Sequence, residues 1–256
     1  MLARVKKIRA DRATPRAVRH AVTSDEHVPV HAVQRLASLD SASQARLLAT
    51  LQRQYGNAAV QRLVAQRDQV FHDTRAALDW KDFKGRASAK SPFDAGTQSG
   101  HTSLGWKATA KRTGKVWDAE AEIDPASLNL RAFMERGKSW VRKARTSADL
   151  LRHEQGHFDI EHVLTEKGEV AIRAAAAGVK ATASHRQPRK AVKAAIDQLK
   201  ASAPFVKLAS METVISRAQQ DYDEDPKTGT GHGTKPAEQA QWEADIKADL
   251  PGYPIP

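Results

Sequence analysis

Apolar positions change period three times along the chain. In residues 32–66, Val33, Leu36 and Leu39, then Leu47, Leu48 and Leu51, then Val60, Leu63 and Val64 recur at helical spacing. Ser41 or Ser43 is placed to cap the second of these pieces, and Gly56-Asn57 marks a turn or break. Residues 78–124 read as β. Leu104, Trp106, Ala108 and Ala110 alternate with polar positions, and Trp117, Ala119, Ala121 and Ile123 do so again after Arg112-Thr113-Gly114-Lys115. Two period-2 runs about a Gly-containing turn predict a hairpin with one buried face, with Asp118, Glu120 and Glu122 toward solvent.

From residue 126 the pattern reads as helical. Thr146-x-x-Asp149 resembles a capping box at the start of a helix through Leu150, Leu151, Phe158, Ile160, Val163 and Leu164. Ala-rich helix is expected to continue to about residue 183, with a break over Ser184–Pro188. Helices are expected over 189–202 and 207–221, a loop over 223–236 and a short final helix around Trp242. The first 30 residues lack a period and contain Pro15 and Pro29. The organisation predicted is a disordered basic tail (1–30), a helical N-terminal element (31–70) and an α+β domain with a small antiparallel sheet (71–256).

Composition narrows the chemistry. The 256 residues include no Cys, which excludes disulfides, thiolate metal ligands and a Cys nucleophile. A metal would have to be held by His and carboxylates. The net charge is +11, concentrated in a basic N-terminal arm, while residues 221–256 are acidic. No nucleic-acid-binding motif accompanies the arm, so the expectation is no specific nucleic acid. No apolar run approaches the roughly 18–20 residues of a membrane span, and no apolar h-region follows the basic start. Export would need a route other than a cleaved N-terminal signal peptide.

The run Leu150-Leu151-Arg152-His153-Glu154-Gln155-Gly156-His157 contains HExxH. Helical positions four apart share a face, so both imidazoles can reach one zinc ion, and Glu154 lies beside the first as candidate general base. Gly156 inside the helix costs about 1 kcal/mol relative to Ala and suggests close approach by another segment. The third ligand is open. Eight helical residues, about 12 Å, separate His153 from Glu161. His162 would need a Gly turn after His157, which is lacking. His232, between Gly231 and Gly233, is the first choice, with Asp221 and Asp223 as alternatives. Tyr222 is a candidate oxyanion donor or a packing residue. Asp159 is a candidate partner for a ligand histidine or an exposed helical Asp. Either strand of the hairpin, residues 102–110 or 116–123, could pair with an extended substrate or be scaffold. His72 and His101 have no supporting context.

These motifs resemble a bacterial family of secreted zinc-dependent proteases. HEQGHFDI, preceded by Ser139-Trp140 and Leu150-Leu151, carries the likeness, as do Leu78-x-Trp80-x-Asp82-Phe83 and Tyr222-Asp223, His232-Gly233 and Gln239-x-x-Trp242. The likeness spans about residues 76–250 and implies a zincin-like fold and zinc-dependent peptide hydrolysis. The loop between Tyr222-Asp223 and His232 is longer than the family's Y-D-x-x-T-x-H-G. Separately, residues 47–64 resemble an LQR-x-x-GN-x-A-V-x-R-L motif of proteins linked to contractile injection systems. That implies an effector or cargo of such a particle, held in the bacterial cytoplasm before export without a classical signal peptide. The competing expectation is a non-catalytic interaction or cargo-adaptor protein whose zinc is structural.

Overall fold

A computed structural model describes Ser43, residues 46–52 and residues 68–255. Residues 46–52 are helical. The expected disordered tail, and most of the expected helical N-terminal element, lie outside the described residues.

The described chain is a mixed α+β structure with small antiparallel sheets. One sheet has the order β1 (Gln69–Phe71), β6 (Ala132–Glu135), β3 (Ser99–His101). A two-stranded ribbon pairs β2 (Ala95–Gly96) with β7 (Trp140–Val141). The third sheet has the order β4 (Trp106–Thr113), β5 (Val116–Ile123), β8 (Lys180–His185). Four helices accompany them: α1 (Ala148–Ala176), α2 (Pro188–Lys200), α3 (Ala203–Glu224) and α4 (Pro236–Lys247).

The predicted hairpin is β4–β5, with Thr113 opposite Val116 and Gly114 at φ 61° in the turn. Ala108, Ala119, Ala121 and Ile123 face inward, whereas Asp118 and Glu120 are exposed. Residues 180–185 correct an expectation: they form strand β8, not the end of a helix. α1 stops at Ala176, Gly178 turns the chain at φ 70°, and Lys-Ala-Thr-Ala-Ser-His then pairs with β5. Alanine's helix preference is weak beside a ladder of hydrogen bonds on a waiting sheet edge. The pairing aligns Ala108, Ala121 and Ala181 across three strands. Over these small residues lie Ala191, Val192, Ala195 and Leu199 of α2.

Strands β6 and β7 likewise interrupt the stretch after residue 126 that reads as helical; their partners β1, β3 and β2 are distant in sequence. The capping residue of α1 is Ser147, one residue after the expected Thr146: its hydroxyl accepts from the Leu150 N–H at 3.1 Å. α3 begins before the expected position because Pro204 occupies its first turn, where no N–H is needed.

α1 and α3 pack along two glycines. A methyl group at Gly156 would overlap the Tyr222 hydroxyl, and one at Gly168 would overlap the Met211 sulfur. This contact accounts for Gly156 in mid-helix. Ile160, Leu164, Ile172, Leu208, Met211, Ile215 and Trp242 fill the space around the crossing. Below α1, Phe158 packs with Val70, Leu78, Phe83 and Met134. The Gln155 side chain ties that layer to the helix, accepting from Leu78 N–H at 2.7 Å and donating to Ala76 carbonyl at 2.7 Å.

Candidate metal centre

Three segments converge on the second turn of α1. The helix supplies His153 and His157, one turn apart. The last turn of α3 supplies Asp223. The following loop supplies His232. Asp223 Oδ1 lies 3.2 Å from His153 Nε2, 3.1 Å from His157 Nε2 and 3.4 Å from His232 Nδ1. His153, Asp223 and His232 each offer a donor atom within 4.8 Å of the others. His157 enters through its contact with Asp223. Donors about 2.0–2.2 Å from a tetrahedral zinc sit roughly 3.4 Å apart, so this spacing is close to that of a metal's ligands.

The loop is built for this approach. Gly231, His232 and Gly233 all have positive φ, at 55°, 54° and 80°. A Cβ at Gly233 would stand 3.0 Å from His153 Cβ. The left-handed conformation suits glycine and disfavours most side chains, so His232 is held in an uncommon state. Thr230 N–H donates to Tyr222 carbonyl at 2.7 Å and Gly231 N–H to Asp223 carbonyl at 3.1 Å, pinning the loop to the end of α3. The His232 ring packs on Phe93, with centroids 4.1 Å apart.

Hydrogen bonds behind the two helix histidines fix their tautomers. The Thr230 hydroxyl donates to Tyr222 carbonyl at 2.9 Å, so its lone pair faces His153 Nδ1 at 3.1 Å. Gln219 donates from Nε2 to His157 carbonyl at 2.9 Å, which turns its Oε1 acceptor to His157 Nδ1. Each Nδ1 therefore carries a proton, which leaves each Nε2, directed at Asp223, as the nitrogen that gains or loses one. Burial lowers the His157 pKa, but the contacts with Asp223 and Glu154 outweigh it and the net direction is upward. Burial raises Asp223, and the contacts with His153 and His157 carry it well below the usual carboxylate range.

Two carboxylate oxygens here have no hydrogen-bond partner: Asp223 Oδ1 and Glu154 Oε2. Both atoms are buried; Asp223 Oδ1 faces the three imidazoles, and a buried charge without a partner, such as that of Glu154, is costly. A divalent cation among the imidazole and carboxylate donors would satisfy the first. Two imidazoles and a carboxylate, with no thiolate in the chain, suit zinc. Glu154 is 3% exposed and lines a cleft of about 450 Å³ together with His153, His157, Asp223 and His232. Its free oxygen lies among groups that could receive substrate.

The other sequence candidates take different places. Tyr222 is fully buried and does not line the cleft. Its ring stacks on His153 at 4.8 Å, and its hydroxyl lies 3.0 Å from His153 carbonyl and 2.9 Å from Gln239 Oε1. Asp221 turns away and accepts from the Tyr253 hydroxyl at 2.8 Å. Asp159 does not support a ligand histidine; it contacts His72 Nε2 at 3.0 Å and Gln155 Nε2 at 2.6 Å. His162 stacks on His72, with centroids 3.7 Å apart. Glu161 lines the cleft, where His101 Nδ1 lies 2.8 Å from its carboxylate. Neither hairpin strand lines the cleft; residues 95–99 do, because β4–β5 packs under α2.

Thr230 and Gln219 are the functional groups that sequence reasoning missed. Gln219 precedes Asp223 by one helical turn and shares its face, and Thr230 stands two residues before His232. Both positions were legible only once Asp223 and His232 had been placed against the helix histidines.

Compared with protein-family models, curated proteins and solved structures, the chain gives no match.

Proposed function

We propose that the chain is a zinc-dependent peptidase of the zincin type, with His153, His157 and Asp223 as metal ligands and Glu154 as general base. The observation that carries this reading is the Asp223 carboxylate oxygen met by three imidazole nitrogens beside a buried, unpartnered Glu154. Among the third-ligand candidates, Asp223 contacts all three histidines, whereas His232 contacts Asp223 at 3.4 Å and remains about one-third exposed. Leaving His232 at the rim keeps a position open for substrate, which a catalytic site requires.

Zinc, when bound, supplies Lewis acidity that acidifies water and polarises a peptide carbonyl. Glu154 accepts one proton from the attacking water as its oxygen bonds to the carbonyl carbon. The C–N bond breaks, and Glu154 returns that proton to the leaving amine. Thr230 and Gln219 hold both ligand imidazoles in the tautomer that offers Nε2. Tyr222 acts as packing under His153, and the buried phenol is held neutral, its pKa raised chiefly by burial.

The test is zinc content and hydrolysis of an unfolded protein such as casein, measured side by side. Wild type binds one zinc and cleaves; a chelator stops both. Asp223→Ala loses zinc, while His232→Ala keeps it. If His232→Ala and His157→Ala both lose zinc as completely as Asp223→Ala, four protein ligands close the site, and the structural-zinc adaptor becomes the better reading. We further propose that the motif at 47–64 directs loading into a contractile injection particle. Retention of the chain by the particle after deletion of those residues would refute that route.

A further inference from the structure

The cleft continues past the metal-binding turn. One wall is residues 95–99, another is Ile215, Ser216 and Gln219 of α3, and Glu161 lies between them. Glu161 follows His157 by one helical turn, about 6 Å along the axis. It is 4% exposed. His101 Nδ1 lies 2.8 Å from one of its oxygens, and the Ser99 hydroxyl donates to the other at 3.2 Å. A carboxylate offers about four acceptor positions, so two contacts leave room for a donor entering from the cleft. Glu212 stands 3.7 Å behind His101 Nε2.

The sign of the charge is distinctive. The chain has 41 Lys and Arg and a net charge of +11, yet neither residue type lines this cleft. Its carboxylates are Glu154, Glu161 and Asp223. Asp223 is committed to the histidines, and Glu154 Oε2 is buried without a partner. The two charges of a divalent cation would offset Glu154 and Asp223, which leaves Glu161 in a poorly solvated wall with the His101 imidazole and the Ser99 hydroxyl as its polar neighbours. Such a group attracts a cation strongly, and a guanidinium most of all, because its paired N–H groups match a carboxylate.

We propose that Glu161 is the base of a subsite that selects an Arg or Lys side chain of the peptide substrate, close to the bond that is cleaved. This rests on the peptidase reading and names its substrate class. The 6 Å offset is the reach of one residue of extended chain and its side chain, so the preference falls at a position adjacent to the scissile bond. Ser99 and His101 are positioning residues that hold the carboxylate toward the cleft.

The experiment uses short fluorogenic peptides in pairs differing only by Arg or Gln at one position. The Arg/Gln ratio of kcat/KM is read within each zinc-loaded protein, so a general loss of activity in a variant cancels. At one position the wild-type ratio is expected to reach about tenfold and to fall to within about twofold in Glu161→Gln. A second measurement does not need turnover. Calorimetric binding of the same pair to zinc-loaded Glu154→Gln should favour the Arg peptide by a similar factor, and adding Glu161→Gln should remove that preference. A wild-type ratio near one at every position, or a ratio that survives Glu161→Gln, overturns the proposal. If Glu154→Gln prefers the Arg peptide but the wild type cleaves nothing, the subsite stands and the peptidase reading falls.

Discussion

The layer of α2 on β4–β5–β8 and the cleft between α1 and α3 solve opposite problems. The first is dry and made of small residues. Ala108, Ala119 and Ala121 meet Ala191, Ala195 and Leu199, and each side chain is nine-tenths or more buried with no polar atom to satisfy. The second buries His153, Glu154, Glu161 and Thr230 within the same chain. Hydrogen bonds satisfy some of these groups, but Glu154 Oε2 and Asp223 Oδ1 go without. Desolvated polar groups without partners cost stability. The contrast sets the α2 layer apart as scaffold and the cleft as the place where a cation could satisfy what the fold leaves open.

The sharpest way to break this contrast is Glu154→Gln. Removing a general base costs about two to four orders of magnitude in rate. Zinc content should be unchanged, and the metal-free protein should melt no lower than wild type, because an unpaired buried charge has been replaced by an amide. A lower melting temperature in the metal-free variant would mean that Glu154 is structural. Leu199→Ala should show the reverse. Truncating a fully buried leucine costs about 2–5 kcal/mol in unfolding free energy. Zinc affinity, measured at a temperature where the variant is folded, should stay within about twofold of wild type. Coupled loss of zinc would show that the two regions are one cooperative unit.

A smaller effect sharpens the polar side. Thr230→Val keeps the shape of the side chain and removes the acceptor at His153 Nδ1. Loss of such a partner lowers metal affinity about 10–100-fold, and Thr230→Ser should restore it. Competition with a zinc-sensitive dye reads the constant directly. Equal affinity in Thr230→Val would remove the hydroxyl from any part in setting the tautomer.

The same division decides what could be read from the sequence. The β4–β5 hairpin was legible because alternation is a local property, and Ala119 and Ala121 stand between acidic residues. Strand β8 was not, because Lys180–His185 becomes a strand only by pairing with β5, some sixty residues earlier. The helix carrying His153 and His157 announced itself by spacing. The carboxylate they meet did not, because the distance from His157 to Asp223 is set by the glycine-mediated crossing of α1 and α3 and not by any interval along the chain. The Gly231–Gly233 pair signalled close approach correctly, yet it could not say that His232 would meet Asp223 as well as His153. Ser139 and Trp140 were visible only as parts of a motif. In the fold, the Ser139 hydroxyl accepts from Gln98 N–H at 2.9 Å and Trp140 packs over Gly96, which together shape the cleft's strand wall.

The smallest expected effect lies where the two kinds of region meet. Arg152, beside His153 on α1, pairs with Glu243 on α4 through Nε and Nη2. The Arg152 hydrogen bond is the main cause that holds the Glu243 carboxyl below its ordinary value of 4.5. A depressed carboxylate adds stability that is present above its unfolded pKa and is lost as pH falls through the folded one. The contribution should therefore be complete near neutrality and fade only below about pH 4.5. Both side chains remain about one-third or more exposed, so water and salt screen the pair and leave no more than about 1 kcal/mol. Arg152→Ala should lower the melting temperature slightly at pH 7 and by less at pH 3, with zinc content unchanged at pH 7. A large loss at pH 7 would mean that the Arg152 stem packs α4 onto α1 as an apolar strut. A loss that is the same at both pH values would place the same weight on packing, and the boundary of the cleft would then belong to the dry region.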